Sequence, residues 1–226
     1  HAEAARPEEK AAPSVDTMLR RAFLWIEGGD FQKADAFLEN ILDAQPECAR
    51  AHLGKLLVSR KLVNEEALAA SDLPFTDDIN FRHAVQFSGE SEAKRLMRLD
   101  EKRQERIRKN QYDNLCADMD RATGQEDLCE RIKLYGRLAN DFQNMHSYRD
   151  SERKAAACGQ LQESTKELCY RTACERMNKS VVSSHDAMQI RQMFDFLGDY
   201  KDSKQNSRSV LLLQTCKLSE EEGKDG

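Results

Sequence analysis

Apolar residues first recur at helical spacing from residue 18. Met18, Leu19, Ala22, Phe23, Trp25 and Ile26 return every three or four positions, and the run stops at Gly28-Gly29. This pattern predicts an amphipathic helix ended by glycine, which tolerates the left-handed backbone just past a helix terminus. Asp30 is a natural N-cap for the next helix, whose stripe is Phe31, Ala34, Phe37, Leu38, Ile41 and Leu42, closed before Pro46. A third helix over about 48–60 carries Ala51, Leu53, Leu56 and Leu57. The short turn makes the first two helices neighbours. Residues 1–14 hold small, charged and proline residues without an apolar period and read as a flexible linker.

Residues 63–89 are less regular. LPFTDDINFRHAVQF suggests a loop around Pro74, a cap at Thr76 or Asp77, and a short helix bearing Phe81, Ala84, Val85 and Phe87. After Ser88-Gly89 a long helix is predicted over about 90–122. Its middle, DEKRQERIRKN, is almost wholly charged and reads as an exposed connecting helix laced by ion pairs.

The second half repeats. Tyr112, Cys116 and Met119 recur as Tyr170, Cys174 and Met177, an offset of 58, on one helical face. The same offset pairs Ile132 with Ile190, Tyr135 with Met193 and Leu138 with Phe196. SYRDS at 147–151 matches DYKDS at 199–203 at an offset of 52, which places six extra residues of the first copy at about 139–147. Thr123 and Ser183 read as caps of the shorter helices. Ser147 and Asp199 read as caps of those that follow, with Asp150 and Asp202 near the positive helix ends. The last helix of the first copy is expected over about 149–179, supplying the first helix of the second.

Composition narrows the fold class. No proline follows Pro74, and the later chain is rich in helix formers. With 39% hydrophobic and 33% charged residues, the chain suits a thin architecture better than a thick globule. The expectation is an all-α, elongated helical-hairpin repeat array. Its parts are a 1–14 linker, a 15–89 helical region, a 90–111 charged connecting helix, module copies at 112–169 and 170–216, and a 217–226 tail.

Candidate chemistry adds little. The seven cysteines include no Cys-x-x-Cys, and Cys169 and Cys174 are poorly spaced for joint ligation on a helix. His52, His83, His146 and His185 are scattered in sequence. No Gly-x-Ser-x-Gly and no phosphate-binding glycine loop occurs. No catalytic, metal-ligating or cofactor-binding residue is therefore assigned, no cofactor is expected, and the chain is read as not an enzyme. The Tyr-(Arg/Lys)-Asp-Ser motif is better explained by packing and capping than by a ligand. The basic run at 102–109 is diluted by Glu105 and lacks interleaved aromatics, and the net charge is −5, so nucleic acid is not expected as the partner. No apolar run approaches the roughly 20 residues of a membrane helix. Free thiols suggest the cytoplasm. The start at His1 suggests a fragment or processed chain.

The segment from Ala22 to Pro46 resembles a tetratricopeptide repeat: Ala22 at the small position, Trp25 in the aromatic slot, Gly29 near the turn, Ala34 at the close contact, then Leu38, Ile41 and Pro46. The usual leucine–glycine pair is replaced by Arg21-Ala22. A unit of this kind followed by modules ending in Tyr-Lys-Asp-Ser is similar to a group of uncharacterised bacterial proteins. That resemblance implies an N-terminal zinc ribbon and sometimes a membrane segment in a longer parent, neither being present in this chain. The functional expectation is a non-catalytic adaptor or scaffold that binds a protein or peptide, with a groove lined by the first and third helices. The alternative is a structural spacer or oligomerisation element, and a homo-oligomer is compatible with either.

Overall fold

The computed structural model describes residues 13–179 and 183–222. Most of the 1–14 linker and the end of the 217–226 tail lie outside the described residues. Among those described, the chain forms ten α-helices and no strand, so the protein is all-α. It divides between Ile107 and Arg108 into two compact units, each described by itself.

The first unit begins with α1 (Val15–Glu27), capped by Ser14, whose hydroxyl accepts from the Thr17 amide at 3.3 Å. Its end is fixed by two bonds, from the Gly29 amide to the Ile26 carbonyl and from the Asp30 amide to the Trp25 carbonyl, both 2.9 Å. Gly29 takes φ 77° to make them, the left-handed closure expected of glycine there. Asp30 then caps α2 (Phe31–Ala44) through the Lys33 amide. The helices α1, α2 and α3 (Ala49–Ser59) pack on one another around Ala22, Ile26, Ala34, Leu38, Ile41, Ala51 and Leu56. Gly54 lets α3 approach α2 closely: a Cβ there would lie 2.7 Å from the Leu38 Cδ2.

A short α4 (Glu66–Ala70) and α5 (Ile79–Gln86) follow. The cap of α5 is Asp78, which accepts from the Asn80 amide, rather than the expected Thr76 or Asp77, and Phe87 stands just past the last turn. Phe75 and Phe81 meet edge-on and join the same core.

The long helix α6 (Glu90–Thr123) runs on past residue 111 and contributes to both units. Its charged middle is not simply solvated, which corrects the sequence expectation. Asp100 and Arg103 are buried and paired at 2.8 Å, and the Arg103 guanidinium lies 5.8 Å from the Phe75 ring centroid. Arg106 donates to the carbonyls of Ala69 and Ser71 and to Asp72. The Arg106 guanidinium thus satisfies backbone acceptors at the end of α4 and in the loop after it, a role that a charge pattern alone does not reveal.

The second unit contains α7 (Leu128–Gln143), α8 (Ser151–Met177), α9 (Ser184–Leu197) and α10 (Ser203–Glu222), the last running into the segment expected as a tail. Tyr112 meets Phe142 and Tyr148 edge-on at 6.1 and 5.9 Å. Tyr170 meets Phe194 and Tyr200 at 6.1 and 6.2 Å with nearly the same tilts. Phe142 therefore occupies the place of Phe194, at an offset of 52. Buried Leu138 and Cys158 correspond to buried Ile190 and Val210 at that same offset. The six extra residues of the first copy thus precede Leu138 and do not lie at 139–147. They lengthen the end of α6 and the start of α7, where Leu128, Cys129 and Ile132 pack with Cys169, Met193 and Leu197.

Three capping expectations change. Thr123 ends α6 and bonds the Met119 carbonyl and the Tyr135 hydroxyl, while Asp127 caps α7 through the amides of Cys129 and Glu130. Ser147 lies upstream of α8 and bonds Glu152, and Asp199 pairs with Lys204. Ser183 does cap α9, exchanging bonds with the Asp186 amide and carboxylate.

Candidate binding groove

The groove on the first unit follows from how α1 divides its faces. Ala22 and Ile26 are buried, Leu19 and Phe23 are half-buried, and Leu24 is 65% exposed. The α1–α2 turn presents this outer face beside α3, against which α1 also packs. A depression of about 610 Å³ runs along it, lined by Asp16, Leu19, Arg20, Phe23, Leu24 and Glu27 of α1 and by Arg50 of α3. A smaller one of about 310 Å³ shares Phe23, Glu27 and Arg50 and reaches Leu57, Val63, Glu65 and Arg95.

Charges frame the apolar floor. The Arg50 guanidinium stacks over the Phe23 ring at 4.6 Å, and its Nη1 stands 3.6 Å from Glu65. Arg95 bridges Glu65 and Glu92 at 2.5 and 2.6 Å, which holds the Glu92 carboxyl below the usual carboxylate range against the effect of its partial burial. These pairs fix the far wall. Arg20, Asp16 and Glu27 remain along the rim of the larger depression. The arrangement can shield apolar side chains from water and pair with charges at their flanks; the larger depression holds no cysteine or histidine.

Other sequence features fall elsewhere. His52 and His83, far apart in sequence, meet ring to ring at 4.7 Å, and His52 stands between the Pro46 carbonyl and Asn80. No group of three or more His, Cys, Asp or Glu that could hold a metal lies together among the described residues. No helix among them is long and apolar enough to cross a membrane.

The Tyr-(Arg/Lys)-Asp-Ser motif is a packing device. Arg149 and Lys201 both take left-handed backbone, φ 53° and 50°, and each cation lies over two tyrosine rings. Tyr112 donates to Asp150, so Asp150 makes no side-chain cap bond to α8. Lys201 and Tyr200 instead share Glu167.

A second cleft, of about 620 Å³, lies among α7, α8 and α9 and is lined by Cys129, Lys133, Arg176, Met193 and Phe196 among others. Cys129 packs against the apolar cluster that holds the buried Cys169 of α8. Sequence spacing compared Cys169 with Cys174 and missed this pair, which only the packing of α7 on α8 creates. Leu24 was missed for a different reason. It is apolar yet off the buried stripe, and an off-stripe leucine is the signal that marks it. Comparison of the chain with known protein families, with curated proteins and with solved structures finds no match.

Proposed function

We propose that the chain is a non-catalytic scaffold that binds a protein or peptide segment in the groove between α1 and α3. The observation that carries this reading is Leu24, a large apolar side chain 65% exposed beside the half-buried Leu19 and Phe23. Covering one such side chain contributes roughly 1.5–3 kcal/mol before the costs of association are subtracted. A few anchors of this kind, with rim charges setting orientation, are how helix-built grooves hold peptides. The complementary segment would present apolar anchors to Leu19, Phe23 and Leu24, with a carboxylate toward Arg20 and a cation toward Asp16 or Glu27. The likeness of residues 22–46 to a tetratricopeptide unit supports the reading, as do the free thiols for a cytoplasmic setting. In a spacer with no ligand groove, by contrast, this face would have no partner to lose.

The test is capture of partners from the cell of origin with the unaltered chain, with Leu24→Glu and with Leu73→Glu. Leu73 is similarly exposed, at 66%, and lies outside the groove. Partners lost with Leu24→Glu and kept with Leu73→Glu support the groove. Partners kept with both variants contradict it.

A further inference from the structure

We propose that Cys129 and Cys169 form a hydroperoxide-responsive dithiol, in which Cys129 reacts first and Cys169 resolves it to an intramolecular disulfide. The inference is independent of the groove on the first unit.

Position separates the two thiols into these roles. Cys129 is the second residue of α7, and its amide donates to the Asp127 cap at 2.8 Å. It is half-exposed and lines the 620 Å³ cleft, which admits a molecule the size of hydrogen peroxide. Cys169 sits within α8, fully buried, in the cluster that Cys129 packs against. The remaining described thiols lack this combination. Cys48 and Cys158 are buried, while Cys116 and Cys174 are half-buried in the clusters of Tyr112 and Tyr170.

Electrostatics agree with the placement. The neighbouring Cys169 thiol and, one turn along α7, Lys133 hold the Cys129 thiol below the ordinary thiol range. Partial burial and the carboxylates of Asp127 and Glu130 act in the opposite sense and are outweighed. Cys169 is pushed up, first by its interaction with Cys129 and then by burial, the opposite direction to Cys129. The start of a helix also favours the anion.

The chemistry balances with a hydroperoxide as the sole oxidant. The Cys129 thiolate attacks one peroxide oxygen; an S–O bond forms, the O–O bond breaks, and the leaving hydroxide takes a proton to become water. Sulfur is oxidised to the sulfenic acid and the peroxide is reduced. Cys169 then attacks the sulfenic sulfur; the S–S bond forms, the S–O bond breaks, and the Cys169 proton leaves with the oxygen as a second water.

The experiment treats the reduced full chain with hydrogen peroxide and maps its peptides by mass spectrometry without reductant. The expected product is a peptide pair joined through Cys129 and Cys169. Iodoacetamide at neutral pH should label Cys129 about tenfold faster than any other thiol of the chain. In Cys169→Ser, dimedone should trap the sulfenic acid at Cys129. A disulfide joining any other pair, Cys129 and Cys169 both left reduced, or Cys129 labelled no faster than its neighbours would overturn the proposal. The first two readouts use the unaltered chain, so they decide the matter even if Cys169→Ser does not fold.

Discussion

The Arg50 guanidinium lies 4.6 Å from the centroid of the Phe23 ring, joining α3 to the outer face of α1. The same arginine reaches toward Glu65, an ion pair in contact with solvent that contributes little by itself. Arg50→Ala is therefore expected to lower stability by only about 0.5–1 kcal/mol. Urea unfolding measures it. The larger effect should fall on partner capture, because the wall over Phe23 is gone.

Two glycines show how the same substitution diverges with its surroundings. At Gly54 an added Cβ would lie 2.7 Å from Leu38, whose side chain is fully buried and has nowhere to move. At Gly136 it would meet the end of Gln162, a half-buried side chain able to swing away from the Ile132 carbonyl. Alanine is worth about 1 kcal/mol over glycine inside a helix, and overpacking costs about 1–3 kcal/mol. Gly54→Ala should therefore lower Tm, while Gly136→Ala should leave it unchanged or raise it. Thermal unfolding followed by circular dichroism separates the two.

Arg103 and Asp100 form a buried pair, and Asp100 also accepts from Gln104. Removing the cation alone leaves a buried carboxylate without its counter-charge. Arg103→Leu should cost about 3 kcal/mol, whereas Asp100→Leu combined with Arg103→Leu should recover much of it. Chemical denaturation of the two variants decides the point.

The Tyr112–Asp150 bond gives a pH signature. It raises the phenol above its ordinary 10.0 and lowers the Asp150 carboxyl below 3.8. The carboxyl contributes stability above its unfolded value, lost as pH falls through its lower folded value. The phenol contributes below pH 10.0, and that is lost as pH rises toward its higher folded value. The Tm difference between the unaltered chain and Tyr112→Phe should be flat between about pH 5 and 9 and narrow on either side. A difference unchanged down to pH 3 and up to pH 11 would contradict the assignment.

Helical class and the first three helices were legible because apolar spacing and the Gly28-Gly29 stop are local signals. The repeated tyrosines were legible too, but the site of the six extra residues was not. Ile132 and Ile190 match in sequence, while the ring contacts set Phe142 against Phe194. Identity of residue type misled where three-dimensional neighbours decide. The burial of Arg103 was hidden for a similar reason, since its partners Asp72 and Phe75 in the loop after α4 lie some thirty residues away. Of the groove, the two helices were foreseeable, but Leu24 emerged only when its exposure was seen.

The most direct test of the central claim places a photo-crosslinking amino acid at position 24 and, separately, at position 73, in the full chain within the cell of origin. Both positions are comparably exposed, and only the first lines the groove. The groove reading expects a discrete protein adduct at 24, absent at 73 and abolished by Arg20→Glu with Phe23→Ala. No adduct at 24, or the same adducts at both positions, would contradict it.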